Sequence, residues 1–365
     1  MLNNKTIAVV VPAFNEEKQI SLVIRSMPSF VDRIVIVNDF STDATTDIVK
    51  EFIEKDVKLE IVNDKPEKLP INALYGRAEL ILEKMKIEEN KYYIPALIEN
   101  KEPDKDRIVL ITHTKNAGVG AAIASGYKWC RDNSIDCTAV MAGDGQMDPS
   151  ELESICMPVI NDGIDYVKGN RLIHRSALLV IPKIRYFGNS VLSILTKIAS
   201  GYWHISDTQT GYTAISNKAL NAIRLYKIYK GYGMPNDLLV KLNIAFCTIK
   251  EVEIKPVYDI GEKSKMRLFK VIPKISFLLL RSFFGRLWIK YFFRDFHPLF
   301  LLYNFSFLLG IIWLPYFFKV IKAILIGAKV SFEPLFAFTF LGITAFQMLL
   351  FAMWMDIQDN DRLYK

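Results

Sequence analysis

The sequence predicts an α/β domain with a mostly parallel sheet, followed by basic amphipathic helices and two membrane-spanning helices. Three observations lead to this fold class. Short β-branched runs alternate with stretches of helical spacing in the N-terminal part of the 365-residue chain. Two long apolar runs lie near the C-terminus, at Leu299 to Phe318 and at Pro334 to Met355. Between these regions, regularly spaced cations are mixed with aromatic and aliphatic residues.

The N-terminal alternation predicts βαβ units. Thr6 to Val11 is a β-branched apolar run, and Glu16 to Met27 has helical spacing. Ile34 to Val37 is a second such run, and helical spacing returns from Thr42 to Ile53. Strands that alternate with helices form a parallel sheet. Ligands of such sheets bind at the carboxyl ends of the strands, so we expect the site there.

A charged insertion at residues 63–107 interrupts this alternation. Within it, Asn72 to Glu89 has the spacing of an amphipathic helix. The alternation resumes with a strand at Ile108 to Thr112, a helix at Ala121 to Cys130 and a strand at Thr138 to Met141. The insertion is therefore expected to interrupt one domain rather than to separate two.

The two apolar runs are long enough to cross a membrane. A helix of about 20 residues spans a hydrocarbon core of about 30 Å. Two buried helices of a soluble protein are the alternative, but such helices are usually shorter and carry a polar stripe. We therefore assign residues 298–356 to two transmembrane helices and residues 357–365 to a cytoplasmic tail.

Residues 264–297 are predicted to be juxtamembrane helices. The stretch from Lys265 to Arg294 has no acidic residue. Its cations are Lys265, Arg267, Lys270, Lys274, Arg281, Arg286, Lys290 and Arg294. By the positive-inside rule they place the N-terminal domain in the cytoplasm. Arg286, Lys290 and Arg294 lie four apart, so we expect one basic face among the lipid headgroups, with the apolar face towards the lipid.

The net charge indicates the kind of partner, and the cysteine spacing indicates the compartment. The net charge is +7 at pH 7, and much of it lies in the basic stretch. We therefore expect membrane lipid as a partner and no nucleic acid. The four cysteines are scattered without a C-x-x-C pair, a pattern typical of reduced thiols in a cytoplasmic domain.

A polar turn after the Thr138 to Met141 strand is a candidate metal site. Residues 142–149 read AGDGQMDP. Magnesium typically takes one or two carboxylates together with substrate phosphates. Asp144 and Gln146 are placed to face one cation, although a Gly-Asp-Gly turn on its own is more often structural.

Several segments in order give a more specific indication than any one of them. They are VVPAFNEE at 10–17, IVNDFSTD at 36–43, NAGVGAA at 116–122, GDGQMDP at 143–149 and KGNR at 168–171. The set resembles the inverting family-2 glycosyltransferases with the GT-A fold. Within that family it is similar to the dolichyl-phosphate mannosyltransferase and polyprenyl-phosphate glycosyltransferase group. The resemblance covers about residues 5–270 apart from the insertion.

The resemblance implies a fold and a reaction. Residues 1–263 would form a GT-A catalytic domain, which is Rossmann-like with a mostly parallel sheet. A hexose or N-acetylhexosamine would pass from a UDP- or GDP-sugar to a polyprenyl phosphate, either dolichyl or undecaprenyl phosphate. Mg²⁺ or Mn²⁺ would be the cofactor. The sugar, the base and the oligomeric state stay open, a homo-oligomer included.

The resemblance also implies site residues. Those expected to line the nucleoside pocket are Pro12, Phe14, Glu16, Val37 and Asp39. The other expected donor-binding residues are Gly143, Asp144, Arg171 and Lys265, and the expected metal ligands are Asp144 and Gln146. Asp39 would accept a hydrogen bond from the base or ribose, or alternatively cap the next helix. Arg171 would approach the diphosphate or the acceptor phosphate, whose geometry suits a guanidinium fork, or alternatively form a surface ion pair.

The chain departs from the family pattern at two positions. The family commonly has an Asp-x-Asp pair, whereas Ala142 stands at the first position here, so one metal carboxylate is missing. The family also often has an arginine six residues before the lysine of a Ser-Lys pair. Ser264 and Lys265 are present, but Asp259 stands at the arginine position.

The catalytic candidates are Asp237, Asp207 and Arg171. Asp207 begins the stretch DTQTGY, which matches the family near its acceptor, and Asp237 matches a later acidic position. For a hydroxyl acceptor, Asp237 would be the natural general base. A phosphomonoester has a second pKa near 6 and is already largely dianionic at neutral pH. With that acceptor, either aspartate would serve to orient cationic ligands.

Three alternatives differ from this interpretation. A membrane glycosyltransferase could act instead on a hydroxyl of a glycan or a lipid-linked saccharide. Processive polysaccharide synthases share this fold, but they typically carry a Gln-x-x-Arg-Trp motif, and no Arg-Trp pair occurs in this chain. Ala142 raises the third alternative, an inactive sugar-nucleotide or lipid-binding homologue.

Overall fold

The structure is a computed structural model that describes residues 1–56, 76–257 and 268–365. Its strands are β1 (Ile7–Ala13), β2 (Arg33–Asn38), β3 (Ala96–Ile98), β4 (Ile108–His113), β5 (Cys137–Val140), β6 (Tyr166–Asn170), β7 (Thr213–Ser216) and β8 (Ile249–Glu253). In the described part of the chain they form one sheet in the order β3-β4-β2-β1-β5-β7-β6-β8. The pairs β4/β2, β2/β1, β1/β5 and β6/β8 are parallel, which confirms the predicted mostly parallel α/β fold.

The helices of the sheet domain are α1 (Ile20–Arg25), α2 (Thr45–Lys55), α3 (Arg77–Glu89), α4 (Val119–Asp132), α5 (Leu152–Asn161), α6 (Ala177–Val180), α7 (Lys183–Ser200), α8 (Asn217–Ala222) and α9 (Met234–Ile244). Each predicted strand is present with bounds shifted by at most two residues, because the β-branched runs are fully buried. The predicted insertion helix is seen from Arg77 onwards, and residues 72–75 lie outside the described residues. None of the residues of α3 is buried, so this helix has no apolar face against the domain.

The core lies on both faces of the sheet because side chains alternate along each strand. Ile7, Val9 and Val11 of β1 face one cluster, whereas Ala8 and Val10 face the other. Helix α4 lies very close to β1, since a Cβ atom added at Gly126 would clash with the Val10 side chain. This packing fixes the N-terminus of α4, and with it the NAGVGAA turn, at the carboxyl edge of the sheet.

The C-terminal part consists of α10 (Leu268–Arg286), a π-helix (Leu287–Arg294), α11 (Pro298–Ile326) and α12 (Phe332–Asp361). In the described part of the chain, α11 and α12 are long and apolar enough to cross a membrane, with mean hydropathies of 1.9 and 2.0. They form a hairpin in which Trp313 Nε1 donates to the carbonyl of Phe338 at 2.9 Å and Ser306 Oγ donates to that of Ala345 at 2.8 Å. Both predicted spans are therefore present as a helical hairpin.

The predicted basic face on the juxtamembrane helices is wrong for two of its three cations. Arg286 and Lys290 are fully buried, and only Arg294 is exposed. Arg286 makes two hydrogen bonds of 2.7 Å to the carboxylate of Asp356, and Lys290 Nζ donates to Asn360 Oδ1 at 2.6 Å. The physical reason is that the end of α12 supplies buried polar partners for these cations, so they face the protein and not the headgroups.

The predicted tail begins later than expected and is part of the fold. Helix α12 continues to Asp361, so residues 357–361 are helical. The last residues then run beside β8. The N–H of Ile249 donates to the carbonyl of Leu363 at 2.7 Å, and the N–H of Lys365 donates to that of Ile249 at 2.9 Å. The far end of the membrane hairpin is thus hydrogen-bonded to the edge of the sheet domain.

Candidate active site

A cavity of about 340 Å³ opens at the carboxyl edge of the sheet. Its walls come from the turn after β5, the residue after β6, the segment before β7 and the start of α9. Because β7 runs antiparallel to β5 and β6, the segment that precedes it reaches the same edge. Asp144, Gln146 and Arg171 all line this cavity, so the structure brings these three predicted site residues together.

The turn after β5 presents Asp144 and Gln146 together. Asp144 Oδ1 accepts a hydrogen bond of 3.1 Å from the Gln146 N–H, and Gly145 between them has a φ of +75°. In the described residues, no group of three or more His, Cys, Asp or Glu side chains is placed to hold a metal ion. A carboxylate and an amide oxygen on one turn are donors of the kind that magnesium takes together with substrate phosphates. The metal site itself stays a prediction.

Arg171 reaches the cavity wall from the end of β6. Its Nε and Nη2 donate to the two carboxylate oxygens of Asp207 at 2.8 and 3.1 Å. Asp207 is fully buried, and its Oδ1 also accepts from the N–H groups of Gln209 and Thr210 at 3.2 Å each. Burial raises the pKa of Asp207, but the charge and hydrogen bonds of Arg171, together with the charge of Lys168, outweigh burial and hold that pKa below its usual value. Asp207 thus orients Arg171 from behind the cavity wall.

Lys168 supports the same wall from inside the sheet. It is fully buried, and its Nζ donates to the carbonyl of Thr210. Burial lowers the pKa of Lys168 to about 8, with Asp207 opposing the change. The KGNR segment therefore supplies two cationic side chains, Lys168 inside the sheet and Arg171 at the cavity wall.

The predicted nucleoside-binding residues lie beside the cavity, at the ends of β1 and β2. Pro12 and Val37 are register partners, and the N–H of Gly143 donates to the carbonyl of Pro12 at 3.3 Å. A Cβ atom added at Gly143 would lie 3.6 Å from Glu16 Cγ, so these side chains adjoin the Asp144 turn. Phe14 is exposed next to them. These residues form a continuous edge, although they do not line the cavity itself.

Asp39 is buried and holds the NAGVGAA turn. Its carboxylate accepts from the N–H of Ala117 at 3.0 Å and from that of Gly118 at 2.7 Å. His113 Nδ1 lies 2.7 Å from Asp39 Oδ1, and His113 Nε2 lies 2.8 Å from Ser125 Oγ. Sequence reasoning missed His113, whose one signal was a histidine at the end of a buried strand. The role of Asp39 towards base or ribose stays a prediction.

Asp237 is buried in the first turn of α9 and does not line the cavity. Its Oδ2 accepts from the N–H of Tyr229 at 2.7 Å and forms an ion pair with Lys241. Met234 and Pro235 from the same helix do reach the cavity. Lys265, together with Ser264, lies outside the described residues, so its place near the donor stays a prediction.

Sequence reasoning also missed several cavity residues. They are Asp148, Glu151, Gln209, Tyr212, Tyr232 and Lys255. Two of them, Gln209 and Tyr212, belong to the DTQTGY stretch that was already singled out. Tyr232 has no motif of its own and is brought to the cavity by the turn into α9.

Comparison with known proteins identifies the class of enzyme. Residues 8–74 and 90–224 match the model of the family described as glycosyl transferase family 2. The chain therefore belongs to glycosyltransferase family 2 and is a glycosyltransferase.

Its relatives include enzymes named for lipid phosphates. The UDP-N-acetylglucosamine–dolichyl-phosphate N-acetylglucosaminyltransferase of Methanococcus voltae is 28% identical over 78% of this chain and 98% of that protein. The polyprenol monophosphomannose synthase of Mycolicibacterium smegmatis is 27% identical over 37% of this chain and 51% of that protein.

Among solved structures, the chain is similar to glucosyl-3-phosphoglycerate synthase from Mycobacterium tuberculosis, solved with Mn²⁺, UDP and glucosyl-3-phosphoglycerate. The TM-score is 0.45 at 17% identity, and the match covers 78% of this chain and 80% of that chain.

Proposed function

We propose that this glycosyltransferase moves a hexose or N-acetylhexosamine from a UDP- or GDP-sugar to a polyprenyl phosphate at the cytoplasmic face of a membrane. The observation that carries the proposal is one cavity that holds Asp144, Gln146 and Arg171 in a domain joined to two apolar helices. The named substrates of the Methanococcus voltae and Mycolicibacterium smegmatis relatives support a lipid phosphate as acceptor.

The reaction is a single in-line displacement. An oxygen of the lipid phosphate attacks the anomeric carbon, the bond from that carbon to the donor diphosphate breaks, and the anomeric configuration inverts. The nucleoside diphosphate departs with the bonding electron pair. Both reactants are anionic, so the enzyme must position them and offset their repulsion more than it must remove a proton.

Arg171 would supply positive charge itself, and the Asp144 turn would supply it through a bound cation. Asp207 holds the guanidinium at the cavity wall through Nε and Nη2, and the positive charge would attract a phosphate there. Asp144 and Gln146 would hold Mg²⁺ or Mn²⁺, and a bound cation would supply neutralisation of the leaving diphosphate. Lys265, which sequence reasoning places beside the membrane, would add a further cation.

Exposed apolar side chains outside the spans support contact of the domain with the lipid. Leu179 on α6 is 89% exposed and Phe187 on α7 is 72% exposed. Helix α7 packs against α10, whose Phe277 is also exposed. We propose that this apolar surface lies at the headgroup boundary and brings the cavity near the acceptor phosphate. A prenyl chain can then stay in the bilayer while its phosphate enters the cavity.

Asp237→Asn is expected to reduce transfer less than Asp144→Asn. A dianionic phosphate needs no base to remove a proton. Asp237 also lies away from the cavity wall, where it accepts the N–H of Tyr229 and forms an ion pair with Lys241. Steady-state rates for both variants with prenyl phosphate would test this, with circular dichroism and thermal unfolding measured to show that each is folded. Complete loss of activity in Asp237→Asn with donor binding intact would support a hydroxyl acceptor and an obligatory base instead.

A donor screen tests the proposed function directly. The full chain in lipid nanodiscs would be incubated with prenyl phosphate, Mg²⁺ and labelled UDP-glucose, UDP-N-acetylglucosamine or GDP-mannose in turn. We expect one of these donors to give label in the lipid extract that depends on the prenyl phosphate. Absence of labelled lipid product with all three donors, and with other UDP- and GDP-linked hexoses and N-acetylhexosamines in the same assay, would overturn the proposed function.

A further inference from the structure

Residues 229–233, which we call the strap, lie between the donor edge of the sheet and the juxtamembrane helix α10. On the donor side, the N–H of Gly120 donates to the carbonyl of Lys230 at 2.9 Å. Cβ atoms added at Gly118 or Gly120 would clash with the carbonyl oxygens of Lys230 or Tyr229. The strap therefore rests directly on the glycine turn that Asp39 holds.

The other side of the strap touches α10. A Cβ atom added at Gly233 would lie 2.8 Å from Cδ2 of Leu278 and 3.3 Å from the ring of Tyr229. Gly233 has a φ of −77°, a conformation that any residue adopts, so close packing and not backbone strain is what limits this position. The first residue of the strap is in turn fixed by Asp237, which accepts the N–H of Tyr229.

Between these two contacts, the strap presents Tyr232 at the cavity. Its side chain lines the cavity and is 49% exposed, with a glycine on each side. Arg171 and the Asp144 turn line the same cavity. A tyrosine has an apolar ring and a polar hydroxyl, a combination that suits the mixed surface of a sugar.

We infer that Tyr232 contacts the transferred sugar, and that the strap is held in place by Leu278 of α10 on one side and by the glycine turn on the other. This deepens the proposed function, because it rests on a nucleotide-sugar donor in the cavity. Asp237 is then a positioning residue that fixes the start of the strap. The juxtamembrane helix α10 then supports the donor site indirectly, through the contact of Leu278 with Gly233.

The first test compares two ligands on Tyr232→Ala in the full-length protein. The probe is whichever of UDP-glucose, UDP-N-acetylglucosamine and GDP-mannose binds the unmodified protein, together with its own UDP or GDP. We expect the affinity for the nucleotide sugar to fall about tenfold and that for the nucleoside diphosphate to stay within about twofold, because the ring contacts only the sugar. Tyr232→Phe should retain most of the nucleotide-sugar affinity. Tyr92→Ala is the matched control, since Tyr92 is exposed and lies away from this cavity. Calorimetric titration of both ligands measures this without any acceptor, so it is separate from a failure of lipid transfer.

The second test uses the contact with α10. Gly233→Ala should lower nucleotide-sugar affinity, and adding Leu278→Ala should restore most of it by making room for the new Cβ. Gly285→Ala is the matched control, because a Cβ there would meet nothing within 4 Å. Equal losses of both ligands in Tyr232→Ala, unchanged nucleotide-sugar affinity in that variant, or no recovery in the double variant would overturn the inference.

Discussion

Asp144→Ala is expected to abolish measurable sugar transfer, with a loss of about a thousandfold or more if the bound cation supplies several kcal/mol. Asp144 is the one carboxylate of the 142–146 turn, because Ala142 stands at the first family position. Removing it leaves only the amide of Gln146 on that turn. Steady-state transfer with saturating Mg²⁺ would measure the loss. Asp162→Ala is the control, since Asp162 pairs with Lys250 and does not line the cavity.

The same site is expected to couple metal and donor binding. Because the protein supplies few metal ligands, its affinity for the metal should be weak without nucleotide and should rise when a nucleoside diphosphate is bound. By linkage, the metal must raise the nucleotide affinity by the same factor. Asp144→Ala should remove this coupling, whereas Ala142→Asp should strengthen metal binding without nucleotide. Equal metal affinities with and without nucleoside diphosphate in the unmodified protein would show that Asp144 and Gln146 do not form this site.

Asp356→Ala is expected to destabilise the protein by about 3–5 kcal/mol, because it leaves the charge of Arg286 buried without its partner. Arg286 is fully buried, and its two hydrogen bonds of 2.7 Å to Asp356 join α10 to the end of α12. It also donates to the carbonyls of Ala199 and Ile198 at 3.0 and 3.1 Å. Denaturation of the purified full-length protein in detergent would measure the change.

Two comparisons make this stability prediction specific. Asp361→Ala, on the same helix, should change stability by no more than about 0.5 kcal/mol, since its ion pair with His204 is exposed. Replacing both members of the buried pair, with Arg286→Met and Asp356→Leu, should cost less than Asp356→Ala alone. If Asp356→Ala and Asp361→Ala had equal effects, the buried pair would not be what joins the hairpin to the domain.

The parts of the fold and site that follow strand ends were predictable from the sequence. Buried strands appear as β-branched runs, and the residues just after them must meet at one edge of a parallel sheet. Asp144 and Gln146 were therefore expected at that edge, whereas Arg171 was expected from the family resemblance, and all three line one cavity. The apolar runs similarly predicted the two long helices, since length and composition suffice for that assignment.

The contacts that the sequence did not predict join residues far apart in the chain. Arg286 was expected at the lipid surface, but it is buried because it pairs with Asp356, which is 70 residues away in the chain. His113 meets Asp39 across 74 residues, a distance over which no local pattern operates. Tyr232 reaches the cavity through the packing of the strap between Gly120 and Leu278. Contacts of this kind are set by tertiary packing and leave no periodicity in the sequence.

The acceptor itself tests the central claim most directly. The full chain in nanodiscs would be given its labelled donor together with either a polyprenyl phosphate or the polyprenol of the same chain length, and the lipid product would be analysed by mass spectrometry and for anomeric configuration. The account predicts a polyprenyl phosphosugar of inverted configuration from the phosphate and no product from the alcohol. Glycosylation of the polyprenol, or a phosphosugar that retains the donor configuration, would contradict it.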